Sequence, residues 1–289
     1  MARDPRRRCL LEVDGELHEV DLSRGHDLAI PLRFDDTQHD VRPSAFGLGY
    51  ASMRPVEGEE FVGDVSRGGA LNCFQVTFWP HGHGTHTETV GHITTPPPPV
   101  GQAIPQALIP ATVLTVSLAS LGECEESYPW RGLSEDQVIT RGALERAFAL
   151  CSTSTSSWNE ALVLRTLPND TTKKGASYSG QNPAYLTREA MAWVREQGVE
   201  HLLVDLPSVD REEDDGELGN HHLFWGLAAG ETDPEQAEGP WRTITEMIYV
   251  PEDVVDGTYL LSLQVPHFIL DAAPSRPLLY PITKPNLPS

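Results

Sequence analysis

Residues 81–92 read His81-Gly82-His83-Gly84-Thr85-His86-Thr87-Glu88-Thr89-Val90-Gly91-His92. Four of the chain's 11 histidines and one carboxylate fall in this one stretch. Neutral imidazole and carboxylate are the usual ligands of a catalytic zinc or manganese ion. The interleaved glycines remove side-chain bulk, so the backbone can bend several donors toward one point. His86 and Glu88 are two apart, and on an extended segment residues i and i+2 face the same side. A bend near Gly91 would bring His92 to them. The spacing is not the HExxH of a helical metalloprotease. No GxSxG is present, and none of the four cysteines sits in a recognisable nucleophile setting.

Upstream of the cluster, Leu71 to Trp79 alternates. Phe74, Val76 and Phe78 fall on one side, and Cys73, Gln75 and Thr77 on the other, which predicts a β-strand. The cluster is then expected in a loop at a strand end, where a rigid element aims the ligands. Downstream, Pro96 to Pro99 has no backbone donors and predicts a rigid extended connection at the surface. Ala111–Leu118 reads as a strand and Thr140–Leu150 as a helix. Ala161–Arg165 is an apolar run of the kind that forms a buried strand. Thr187 to Gln197 is the clearest helix. Thr187 caps it, Ala190, Trp193, Val194 and Gln197 share a face, and Gly198 closes it. His201–Leu206 and Thr258–Val265 are further strands. Strand, helix and strand within 45 residues imply a parallel crossover.

The bulk numbers bound the function. A length of 289 residues is ample for a core. The formal net charge of −21 argues against nucleic acid and anionic membranes as partners. Cys9, Cys73, Cys124 and Cys151 form no CxxC pair, which reads as reduced thiols in a cytoplasmic protein. Met1 to Arg8 is charged and lacks an apolar stretch of signal-peptide length, and no membrane span is visible.

A metal site usually draws ligands from elsewhere in the chain. Asn220-His221-His222 follows the strand ending at Leu206 and the segment Pro207-Ser208-Val209-Asp210. Strand ends are where sites form in mixed α/β folds. Glu246 lies in Thr243-Ile244-Thr245-Glu246-Met247-Ile248. A carboxylate between apolar residues is costly to bury unless it is paired or bound to metal.

At these residues the chain resembles the putative cyclase family, which includes bacterial kynurenine formamidase (arylformamidase) and isatin hydrolase. The family signature is HxGTHxDxPxH. Gly84-Thr85-His86-Thr87-Glu88 and His92 match it in register. Asp21-Leu22-Ser23, Gly63-Asp64, Asp205 to Asp210, the His221/His222 pair followed by Glu246, and Ala273 to Pro277 match further family segments. There are three departures. Gly82 stands where the first signature His belongs, with His81 and His83 flanking it. Pro80-His81 reproduces the family's Pro-His step, which favours His81. Glu88 replaces the family Asp, and Thr89-Val90 replaces its Ala-Pro.

The resemblance implies a mixed α/β chain with the family's swivelling β/β/α fold. It would be one domain over residues 16–289, preceded by a flexible tail over residues 1–15. It implies one or two divalent ions per chain, zinc or manganese. His81 or His83, His86 and Glu88 would hold the first ion. Glu88 would bridge to a second ion held by His221 or His222 and Glu246. His92 would be the proton donor and acceptor. It also implies a dimer or tetramer and hydrolysis of an amide, as in conversion of N-formylkynurenine to kynurenine and formate. A cyclic amide or lactone is the nearest alternative substrate. A metal-binding or small-molecule-binding member without catalysis is the alternative of another class.

Overall fold

The computed structural model describes residues 8–13, 15–34, 42–151 and 158–285. Its strands in chain order are β1 (Arg8–Val13), β2 (Glu16–Asp21), β3 (His26–Asp27), β4 (Ser52–Pro55), β5 (Phe74–Thr77) and β6 (His86–Glu88). They continue as β7 (Ile109–Ser117), β8 (Ala119–Ser120), β9 (Gln137–Ile139), β10 (Ala161–Leu167), β11 (Tyr185–Leu186) and β12 (His201–Val204). The last four are β13 (Thr243–Glu246), β14 (Gly257–Ser262), β15 (Ala272–Pro274) and β16 (Leu278–Thr283). The α-helices are α1 (Pro80–His83), α2 (Arg141–Leu150), α3 (Arg188–Glu196) and α4 (Gly219–Trp225). None of the described helices is long and apolar enough to cross a membrane.

The mixed α/β class is the one expected. One large sheet runs β1-β2-β16-β14-β7-β10-β12-β13-β6-β15, with β3 added on β16. Its centre is parallel: β7, β10, β12 and β13 run the same way, with Ala161 opposite both Ala111 and His201. These strands are buried on both faces, which is why they read as apolar runs rather than alternations. Leu114, Val116, Leu162, Leu164, Leu202 and Val204 face one core cluster, which α2 and α3 cover with Leu144, Met191, Trp193 and Val194. Ala111, Val113, Ala161, Val163 and Leu203 face a second cluster closed by Leu28, Ile248 and Leu279. The expected crossover is β10–α3–β12. The Thr187 side chain accepts from the Ala190 N–H at 3.0 Å, so it caps α3 as its sequence position predicts.

Three expectations are corrected. The segment 1–15 is not all a tail, because Arg8–Val13 forms β1 and pairs along its length with β2. Alternate residues Leu11 and Val13 turn apolar surface inward beside Trp158 and Leu260, and that burial holds the strand. Residues 1–7 lie outside the described residues. The alternation at 71–79 yields β5, but it pairs only with β4, and Phe74 and Val76 are exposed. Alternation specifies a strand, but a buried face requires a neighbouring layer, and among the described residues none covers Phe74 and Val76 of this hairpin. Finally, the histidine cluster is not a loop. It runs through α1, the buried strand β6 and a 3₁₀ turn at Val90–His92.

A small sheet, β11-β9-β8, joins the main sheet to the segment before α4. Asp136, 1% exposed, anchors it. Its carboxylate accepts from the Leu133 N–H at 2.9 Å, the Tyr185 hydroxyl at 2.6 Å, the Asn182 amide at 2.6 Å and Arg211 Nε at 2.9 Å. Burial opposes its charge, but these four donors outweigh burial and hold its pKa below the ordinary 3.8. A depressed folded-state pKa means that the stabilisation is complete above the ordinary value and is lost as pH falls through the folded value. Asp136→Asn is therefore expected to lower stability by about 3 kcal/mol at pH 7. In denaturant titrations across pH, the gap from wild type should narrow below pH ~4.

Candidate metal centre

The site forms where β6 lies between β13 and β15. Antiparallel pairing sets Glu246 opposite His86 and Ile244 opposite Glu88, with Ala272 and Pro274 on the other flank. His86 and Glu88 thus point to one side, as their i, i+2 spacing requires. α4 brings His221 to the same point, and α1 brings His81. Gly91 lets the proline run fold back on the turn: a Cβ there would stand 3.0 Å from Pro97 Cβ and from the Pro98 carbonyl.

The centre is built around a buried carboxylate. Glu88 and His86 are 0% exposed, His221 1% and Glu246 2%. Glu88 Oε1 lies 3.0 Å from His221 Nε2, and Oε2 lies 3.1 Å from His81 Nδ1 and 3.9 Å from His92 Nδ1. Glu246 Oε2 is 3.4 Å from His86 Nε2, and Oε1 is 3.8 Å from His221 Nε2. His81, His86 and Glu88 each offer one donor atom within a 4.8 Å cluster, as do Glu88, His92 and His221.

Each central imidazole is tied down by its other nitrogen. His86 Nδ1 donates to the Gly84 carbonyl at 3.0 Å, and His221 Nδ1 donates to Asp210 at 2.6 Å. This outer contact fixes the ring and its tautomer and leaves Nε2 directed inward. His86 Nε2, His221 Nε2 and both Glu88 oxygens are buried without a hydrogen-bond partner. Buried polar atoms are almost always satisfied. Four orphaned atoms, close together but not aligned for hydrogen bonds with one another, mark a place shaped for a cation. Three imidazoles and two carboxylates suit Zn²⁺ or Mn²⁺.

The electrostatics agree. Burial opposes the charge of Glu88, but His92, His221 and His81 hold its carboxyl well below the ordinary range. Burial likewise disfavours charged His81, yet Asp271 and Glu88 raise it to about 10. Burial is overcome at His221 too, by Asp210 and Glu88, and its pKa stands well above the ordinary value. The carboxylates draw positive charge from whatever is at hand.

The two ambiguous histidine pairs separate cleanly. His83 accepts from the Trp79 N–H at Nδ1 and donates to the Gly49 carbonyl at Nε2, so neither nitrogen is free for the centre. His222 has a buried, unpartnered Nδ1 but joins none of the clustered donor sets. His81 and His221 are the members that converge. Trp225 packs in the main core, 5.6 Å from the His221 ring. Phe74 is exposed on the β4–β5 hairpin.

Two residues were not expected from sequence. Asp271 Oδ2 meets His81 Nε2 at 2.9 Å and His92 Nδ1 at 3.5 Å, and those hydrogen bonds lower its own pKa. Its one signal is position, immediately before the Ala272–Pro274 strand. Asp210 orients His221, and its signal was membership of the Asp205–Asp210 segment.

The sequence profile described as "Putative cyclase" matches residues 20–211. No curated protein matches the sequence. Isatin hydrolase A from Ralstonia solanacearum superposes with a TM-score of 0.57 at 15% identity, covering 89% of this chain and 91% of that one. A predicted metal-dependent hydrolase from Bacillus stearothermophilus superposes with a TM-score of 0.54 at 13% identity, covering 89% and 98%. Isatin hydrolase A from Labrenzia aggregata, bound to benzyl benzoate, gives 0.54 at 14%, covering 89% and 93%. At these identities the structures speak for the fold, while the profile spans most of the chain: this protein belongs to the putative cyclase family.

Proposed function

We propose that this protein is a metal-dependent hydrolase of a C–N amide bond, arylformamidase-like, cleaving N-formylkynurenine to kynurenine and formate. The observation that carries this reading is the convergence of unpartnered, fully buried donor atoms on His86, Glu88 and His221. A cyclic amide or lactone is the second reading, favoured by the isatin hydrolases among the fold neighbours.

His81, His86 and Glu88 would hold the first divalent ion, zinc or manganese. Glu88 would bridge to a second position formed by His221 and Glu246. A bound ion of this kind supplies Lewis acidity toward the scissile carbonyl and an acidified water near neutral pH. The chain's own residues do the rest. The centre has a closed side and an open side: His86, Glu88, His221 and Glu246 are sealed, whereas the side chains of His81, His92 and Asp271 are 24%, 27% and 30% exposed. A small substrate would reach the centre from that open side.

His92 stands at the rim, its ring centroid 4.3 Å from that of His81 and 5.4 Å from that of His221. Asp271 lies 3.5 Å from His92 Nδ1, which leaves Nε2 to carry a proton. Amide hydrolysis needs a proton on the departing nitrogen, and a positioned imidazole is the side chain most often used for it.

Elemental analysis of untagged wild type should find one or two zinc or manganese ions per chain, with N-formylkynurenine hydrolysis in the same sample. His86→Ala should lose the metal of this centre together with the activity. Metal-free wild type after reloading would overturn the reading, and metal without activity on formamides, cyclic amides and lactones would overturn the hydrolase.

His92→Gln should keep the wild-type metal content while kcat falls about 10²- to 10⁴-fold. Loss of metal in His92→Gln would instead make His92 a ligand.

A further inference from the structure

At the opposite end of the central parallel strands lies a second group of donors. Glu160 precedes β10, Glu200 precedes β12 and His201 opens it. One donor atom from each of the three lies within 4.8 Å of the others. The backbone holds them together: the N–H groups of Glu200 and His201 both donate to the Glu160 carbonyl at 2.9 Å. The Thr243 N–H donates to the Glu200 carbonyl at 2.9 Å.

The histidine sets this group apart from an ordinary acidic edge. His201 is 2% exposed, and its Nδ1 is engaged by Thr243 Oγ1 at 2.8 Å. Its Nε2 is buried with no partner. A buried imidazole with one nitrogen hydrogen-bonded and the other idle is the arrangement of a metal ligand held by its outer contact. The Arg242 guanidinium attracts Glu200 through space without forming an ion pair with it. Among the described residues no Lys or Arg forms an ion pair with Glu160 or Glu200. Burial, and then Glu200, push the Glu160 carboxyl up.

We infer that Glu160, Glu200 and His201 form a second, structural site for a divalent cation of the zinc class, distinct from the candidate catalytic centre. Imidazole and carboxylate donors at about 2.1 Å from a tetrahedral ion stand about 3.4 Å apart, closer than the 4.8 Å within which these three donor atoms lie. The ion would clip together the starts of β10 and β12. His201 pairs with Thr243 in register, and Glu246 lies three residues further along β13, so the two centres are about 10 Å apart along the strand. The inference does not depend on the proposed hydrolysis.

The test uses the full chain, wild type and Glu200→Gln, each stripped with chelator, reloaded with ZnCl₂ and freed of excess ion by gel filtration. Wild type should retain one equivalent of zinc more than Glu200→Gln, and its melting temperature should rise more on reloading. Both should hydrolyse the same substrate at the same rate. The His86→Ala and His86→Ala/Glu200→Gln pair repeats the comparison without the first centre, and the one-equivalent difference should persist. Equal zinc in both pairs, with circular dichroism showing all four proteins folded, would overturn the site. Equal zinc in the second pair alone would show that the ion belongs to the catalytic centre and would overturn it too.

Discussion

Glu88 has no route to water. Its side chain is fully buried in a three-residue strand, hydrogen-bonded on both edges, and it is ionised. An isolated carboxylate in such a place would cost far more than a domain's net stability. Positive charge must therefore be brought to it, and the chain brings it from three directions: His81 from α1, His92 from the turn after β6, and His221 from α4. The outer carboxylates Asp271 and Asp210 then hold His81 and His221 from behind. The same carboxylates raise the pKa values of His81 and His221 despite their burial. A divalent ion and protons on these imidazoles would compete for one electrostatic place.

Helical geometry explains why adjacent histidines part company. Successive residues of an α-helix are 100° apart, so His81 and His83 on α1 diverge by about 200° and His221 and His222 on α4 by about 100°. Only one of each pair can face Glu88. His83 instead spends both nitrogens on backbone groups, which locks α1 at the angle that presents His81. A histidine held by backbone groups thus sets the position of one beside it. The same logic applies at α4, where Gly219 begins the helix against the Trp130 ring. A Cβ there would stand 2.1 Å from the indole.

Much of this was legible because it was local. The capped helix after Thr187 and the same-side pairing of His86 and Glu88 follow from periodicities of 3.6 and 2, and the apolar run at 161–165 follows from burial on both faces. Glu246 was legible as a charge in apolar company. What escaped was set by pairing between distant segments. Asp271 reaches His81 across 190 residues of chain because β15 adds to β6, and a single aspartate carries no periodic sign of that partner. The strand at Arg8–Val13 was hidden for a related reason. Its partner β2 and the Trp158–Leu260 cluster supply the burial, and neither is implied by the strand's own composition. β5 shows the converse, an alternation that no layer among the described residues buries.

The parallel strands impose a polarity on the chemistry. β10, β12 and β13 enter the core from one end, where Glu160, Glu200 and His201 gather, and leave it at the other, where Asp205 and Glu246 stand. At the exit end the carboxylates are fully enclosed and countered. Lys173 reaches Asp205 at 2.8 Å, and histidines surround Glu246. At the start they are half-buried, and no basic side chain pairs with them among the described residues. A net charge of −21 is commonly a matter of solubility. Here part of it is concentrated where strands begin and end, the two places in a parallel sheet at which backbone groups and side chains from neighbouring segments converge. Charge placed there acts on the fold itself: it demands a counter-charge at fixed positions, and it makes the order of the strand ends depend on what supplies it.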